Sequence, residues 1–93
     1  MSDVSRGRFT IVNERGMHAR AASQLVKLAS AYPCEILLSG PEEQAVSAKS
    51  VMGVLLLCGA KGTIIDVEAR GDRAGEAVKA IGELIAEKFG EDE

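Results

Sequence analysis

One histidine, no tryptophan, three aromatic residues and two cysteines among 93 residues leave this chain few routes to chemistry. A lone imidazole has no companions for a histidine-based metal site. Cys34 and Cys58 stand apart, with neither a CxxC pair nor a histidine at ligand spacing. The carboxylates form no visible metal cluster, and no cofactor motif is present. "GAKGT" (59–63) has a glycine, a lysine and a threonine, but not in the order or spacing of a P-loop. Eleven Lys and Arg against 14 Asp and Glu give a net charge of −3, with no basic run. Nucleic-acid binding draws on clustered cations and stacking aromatics, and Phe9, Tyr32 and Phe89 are all the aromatics there are. The longest apolar run, "VLLLC", is far short of the roughly 20 residues that span a bilayer. "MSDVSRGRFT" lacks the apolar segment of a signal peptide. A soluble cytoplasmic protein with two reduced, packed thiols is the expectation.

What is present is punctuated secondary structure for a single domain, 1–93. "RFTIV" (8–12) reads as a first strand, and Gly16 suits a turn needing unusual dihedrals. From Ala19 to Ala31, Ala22, Leu25, Val26 and Ala29 recur at three and four, one face of a helix that Tyr32-Pro33 ends. "CEILLS" (34–39) and "QAVSA" (44–48) read as strands on either side of a "GPEE" turn. "VMGVLLL" (51–57) is a short helix, and "TIIDVEA" (63–69) alternates Ile65 and Val67 against Asp66 and Glu68. Ala77, Val78, Ile81, Leu84, Ile85 and Phe89 line one face of a last helix, with Asp72 of "RGD" (70–72) as its expected cap. Gly75 and Gly82 weaken that helix by about 1 kcal/mol each if they are interior. Residues 1–6 and the acidic end 90–93 are expected to fray. The order β-α-β-β-α-β-α, with a right-handed crossover through the first helix, leaves a gap between strands one and two for strand four. The fold class is α+β, an open-faced β-sandwich.

His18 stands at the start of the first helix, in "GMHARAAS" (16–23). There its ring lies beside unpaired backbone N–H groups and the positive end of the helix dipole. A neutral imidazole in that place can take a phosphoryl group, and the resulting dianion meets donors already aimed at it. Arg20 stands ready to contact the phosphate or an acidic donor protein. Position alone gives equal weight to a histidine that merely caps the helix. Ser50, before "VMGVLLL", is an ordinary N-cap or a regulatory phosphorylation site. Lys49 beside it is placed to soften an added charge. Val51, Met52, Leu55 and Leu56 form an apolar group on a helix too short to bury every side, so part of it is expected to face a partner.

Together "GMHARAAS", "AKSVMGVLLL" (48–57) and "GAKGT", in this element order, resemble the HPr family, histidine-containing phosphocarriers of the bacterial phosphoenolpyruvate-dependent phosphotransferase system. The resemblance spans nearly the whole chain. It implies a four-stranded antiparallel sheet covered on one face by three helices. It also implies that His18 accepts phosphate from enzyme I on Nδ1, assisted by Arg20, and passes it to an enzyme IIA protein or domain. Met17, Val51, Met52 and Leu55 match the docking face, and Ser50 matches the serine that HPr kinase/phosphorylase modifies in some branches. Ala21 stands where many members have proline, and both the sugar-importing and the nitrogen-related branch stay open. The chain reads as a monomeric carrier rather than an enzyme with its own turnover, with no cofactor, no nucleic acid and no membrane insertion. The rival is a regulatory binding module controlled at Ser50.

Overall fold

The computed structural model describes residues 3–41, 44–57 and 59–91. Strands β1 (Val4–Thr10), β2 (Glu35–Ser39), β3 (Ala45–Ser47) and β4 (Ile64–Arg70) form one antiparallel sheet in the order β1-β4-β2-β3. β4 fills the gap between β1 and β2, the position that the right-handed crossover leaves open. Helices α1 (Ala19–Ser30), α2 (Val51–Leu56) and α3 (Ala74–Ala86) complete the chain. Among the described residues no helix is long and apolar enough to cross a membrane.

Period-two alternation divides the sheet's faces. Ile36, Leu38, Ile65, Val67 and Ala69 are buried. The other face carries Arg6 opposite Glu68 and Arg8 opposite Asp66. Their side chains pair at 2.7 and 2.8 Å, and Arg70 reaches Glu68 at 2.8 Å. Exposed pairs of this kind add little stability, but a one-residue slip would turn them inward, so they help to pin the register. Ala21, Ala22, Leu25 and Ala29 of α1, with Ala77, Val78, Ile81 and Ile85 of α3, close the core from the helical side. Val26 and Leu84, expected on those faces, are half-buried at their margins.

Several expectations need correction. β1 begins at Val4 rather than Arg8 and pairs from its first residue with Arg70, so residues 4–6, expected to fray, are in the sheet. Its inward positions there are Ser5 and Gly7, which present no apolar alternation to read. The strand ends at Thr10, and Ile11 and Val12 belong to the loop beyond it. Asp72 does not cap α3. The chain leaves β4 through Gly71 (φ 120°) and turns left-handed at Arg73 (φ 64°), which becomes the N-cap without a side-chain bond. Arg73 instead donates to Glu76 at 3.0 Å and lies 4.9 Å from the centre of the Tyr32 ring. Phe89 is buried, but from a 3-10 turn (Lys88–Gly90) after α3 rather than from its face. Cys34 is a free, buried thiol. Cys58 lies outside the described residues, as do Glu42 and Glu43 of the expected turn.

Candidate functional site

His18 is the N-cap of α1, in extended backbone (φ −87°, ψ −179°). Its carbonyl accepts the first helical bond, from the Ala22 N–H at 2.8 Å. Its Nδ1 accepts from the Arg20 N–H at 3.3 Å, while Nε2 meets the Glu91 carboxylate oxygen Oε2. A carboxylate accepts only, and the Arg20 N–H donates only. The two partners together therefore assign the neutral ring its proton on Nε2 and a lone pair on Nδ1. The imidazole is 26% exposed and the Glu91 side chain 11%, a site open on one side.

The loop before His18 is held by backbone. Gly16 is left-handed (φ 64°), and a Cβ there would stand 2.9 Å from the Ala60 Cα and closer still to the Gly59 carbonyl oxygen. No other residue fits so close to the chain leaving α2. The Met17 N–H donates to the Gly59 carbonyl at 2.6 Å, and the His18 N–H to the Gly16 carbonyl at 3.0 Å. Asn13, fully buried, donates through Nδ2 to the Gly16 carbonyl (2.9 Å) and to Glu91 Oε1 (2.7 Å). Burial pushes the Glu91 carboxyl up, but hydrogen bonds from His18 and Asn13 and the charges of His18 and Arg15 outweigh it and leave it below its ordinary value. Arg20 is exposed on the first turn of α1, and among the described residues its guanidinium makes no ion pair.

Ser50 caps α2, accepting from the Gly53 N–H at 3.1 Å. Lys49 is not placed to soften a charge there, since its Nζ donates to the Tyr32 carbonyl at 2.7 Å. The apolar group divides differently from the expectation. Met17, expected to face a partner, is 6% exposed and packs in the core. Leu55 is half-buried against that core and Val54 is wholly buried. The open face of α2 consists of Val51, Met52 (70% exposed) and Leu56 (71%), the last two one helical turn apart. Among the described residues no group of three or more His, Cys, Asp or Glu side chains is arranged to hold a metal ion.

The profile of the family described as PTS HPr component phosphorylation site matches residues 5–87. The phosphocarrier protein HPr of Pseudomonas aeruginosa is 40% identical over 85 residues, covering 91% of this chain and 94% of that one. The phosphocarrier protein NPr of Escherichia coli is 42% identical over 82 residues, covering 88% and 91%. The crystal structure of HPr-C-His from Thermoanaerobacter tengcongensis superposes with a TM-score of 0.90 at 36% identity, covering 96% of this chain and 99% of that one. The chain belongs to the HPr family. A phosphocarrier role in the phosphotransferase system goes with that membership.

Three residues of this HPr-family site were not singled out from the sequence. Asn13 lies five positions before His18 in a loop that reads as turn composition, and Arg15 reads as one more solvated charge. Glu91 falls in a tail expected to fray. In sequence Glu91 is separated from His18 by 73 positions, so no local spacing announces the contact. A weak signal existed in Phe89, a large apolar residue two positions earlier that must be buried somewhere and carries its neighbours with it.

Proposed function

We propose that His18 accepts a phosphoryl group on Nδ1 from phospho-enzyme I and hands it to an enzyme IIA protein, as a carrier without turnover of its own. The observation that carries this reading is the ring's orientation: Nε2 faces a carboxylate, and Nδ1 turns its lone pair toward the first turn of α1. Phosphorus bonds to that lone pair as its bond to the donor breaks, and the electron pair of the broken bond stays with the donor. The N–H groups of the first turn, which a helix leaves without internal partners, then face the phosphate oxygens. Arg20 neutralises part of the added charge. Such a site needs no deep pocket, because the group it holds must be surrendered to the next protein.

Val51, Met52 and Leu56 offer both partners the same apolar surface, and Leu55 supports it from beneath. The Gly59 carbonyl, a few residues beyond that helix, accepts from the N–H of Met17, the residue before His18, and this tie supports a docking face near the phosphorylated ring. Ser50 opens that helix, and a kinase acting there would add about −1.5 to −2 charges beside Met52.

The test is incubation with phosphoenolpyruvate and enzyme I, followed by intact mass and acid treatment. One added phosphate that is lost in acid and absent in His18→Ala is expected. The variant should still fold, losing about 1 kcal/mol with its cap. A wild-type rate in His18→Ala would sink the assignment. An acid-stable phosphate on Ser50 alone would favour the regulatory module instead.

A further inference from the structure

Two uncommon features converge on the Glu91 carboxylate. After α3 the chain takes left-handed backbone at Lys88 (φ 59°), Phe89 (φ 55°) and Gly90 (φ 80°) in succession. For the two residues with side chains this costs of order 1 kcal/mol or more each, and such strain persists only where the surroundings impose it. Phe89, 1% exposed, anchors the turn in the core, and the turn brings Glu91 back onto the His18 ring. The second feature is Asn13. Its amide is fully buried, and among the described residues its Oδ1 has no partner. Leaving such an atom unpaired costs roughly 1–3 kcal/mol, yet the amide spends both its Nδ2 contacts on Gly16 and Glu91.

On the carrier reading given above, we propose that Glu91 is a positioning residue, held by Asn13, that keeps the His18 proton on Nε2 and so presents Nδ1 as the nucleophile. With Nε2 still protonated, no proton has to leave when phosphorus bonds to Nδ1, and the ring becomes a cation facing a carboxylate. In the second transfer the N–P bond breaks, its electrons return to Nδ1, and the ring departs as neutral imidazole without a proton being supplied. This is the relation of the carboxylate to the imidazole in a catalytic triad, in which the acid selects the tautomer and steadies the cation. Here the nucleophile is the imidazole itself.

Glu91→Gln separates this role from simple tail docking. The glutamine has one oxygen and one amide nitrogen for two neighbours, both of them donors in the native site. If its oxygen meets Asn13, its N–H faces Nε2 and favours the opposite tautomer. The 15N shifts of the His18 ring in the unphosphorylated variant should show Nε2 losing proton occupancy and Nδ1 gaining it. Transfer from phospho-enzyme I should slow by about 10- to 100-fold, by analogy with the loss of the carboxylate that orients a metal-bound histidine. Glu91→Ala should slow transfer as well, with circular dichroism confirming that it folds. A lower melting temperature with native 15N shifts and a native rate would overturn the proposal and leave Glu91 a structural clasp. If wild-type protein itself takes no phosphate, the carrier reading fails, and the tautomer measurement alone decides whether Glu91 positions the ring.

Discussion

Replacing Gly82 with alanine tests how closely α3 lies on β1. The glycine is buried in the interior of α3, and an added Cβ would lie 2.5 Å from Phe9 Cζ, 3.0 Å from Cδ1 and closer still to Cε1. Real Cβ atoms do not come so near, so the phenyl ring must move. Alanine in a helix interior gains about 1 kcal/mol over glycine. Forcing a methyl group into an occupied space costs typically 1–3 kcal/mol. Phe9 is only half-buried and can give way in part, so the expected balance is a net loss of about 1 kcal/mol. Gly75, at the exposed start of the same helix, has nothing within 4 Å of its would-be Cβ. Gly75→Ala should therefore gain up to about 1 kcal/mol. In a domain of this size the two variants should melt roughly 5–15 °C apart, on opposite sides of wild type, by circular dichroism at 222 nm. Adding Phe9→Leu should shrink the Gly82→Ala penalty, since the pair shares one space. If Gly82→Ala raises the melting temperature as much as Gly75→Ala does, α3 does not need that contact, and the packing argument fails.

Two more outcomes concern the site. Ser50→Asp retains a capping oxygen, so stability should hardly change, while transfer from enzyme I slows severalfold because a charge stands beside Met52; Met52→Lys should act alike, and native kinetics in both would mean that α2 does not touch the donor. The second outcome is set by pH. Glu91 lies below its ordinary value of 4.5, so its clasp contributes fully above that value and is lost as pH falls through the lowered one. The groups facing it are His18, Asn13 and Arg15, and in Glu91→Gln the acid side of a melting-temperature profile should be flatter than in wild type. Parallel profiles would show that the carboxylate contributes nothing there.

The caps of α1 and α2 were legible because capping is local, whereas that of α3 was not, because a left-handed Arg73 displaces Asp72 from the cap. Gly16 and His18 precede a run with helical periodicity, and Ser50 does the same for α2, so their places follow from three or four neighbours each. The sheet order was legible for a more general reason, since handedness leaves β4 one slot between β1 and β2. The first half of β1, by contrast, could not be read, because Ser5 and Gly7 face inward where small residues suffice. In α2 a run of leucines cannot say which side is out. Only the packing against the core buries Val54, half-buries Leu55 and leaves Leu56 open, and the loop tied to Gly59 turns Met17 inward.

By itself the amino-acid sequence determined that a single imidazole begins a helix, because periodicity and turn residues act over a few positions. What faces its other nitrogen was decided by the tertiary structure, because the Arg20 N–H that meets Nδ1 is a neighbour in the chain while the partner of Nε2 is not. That partner is a carboxylate 73 positions away, which a left-handed turn and one buried phenylalanine bring to the ring.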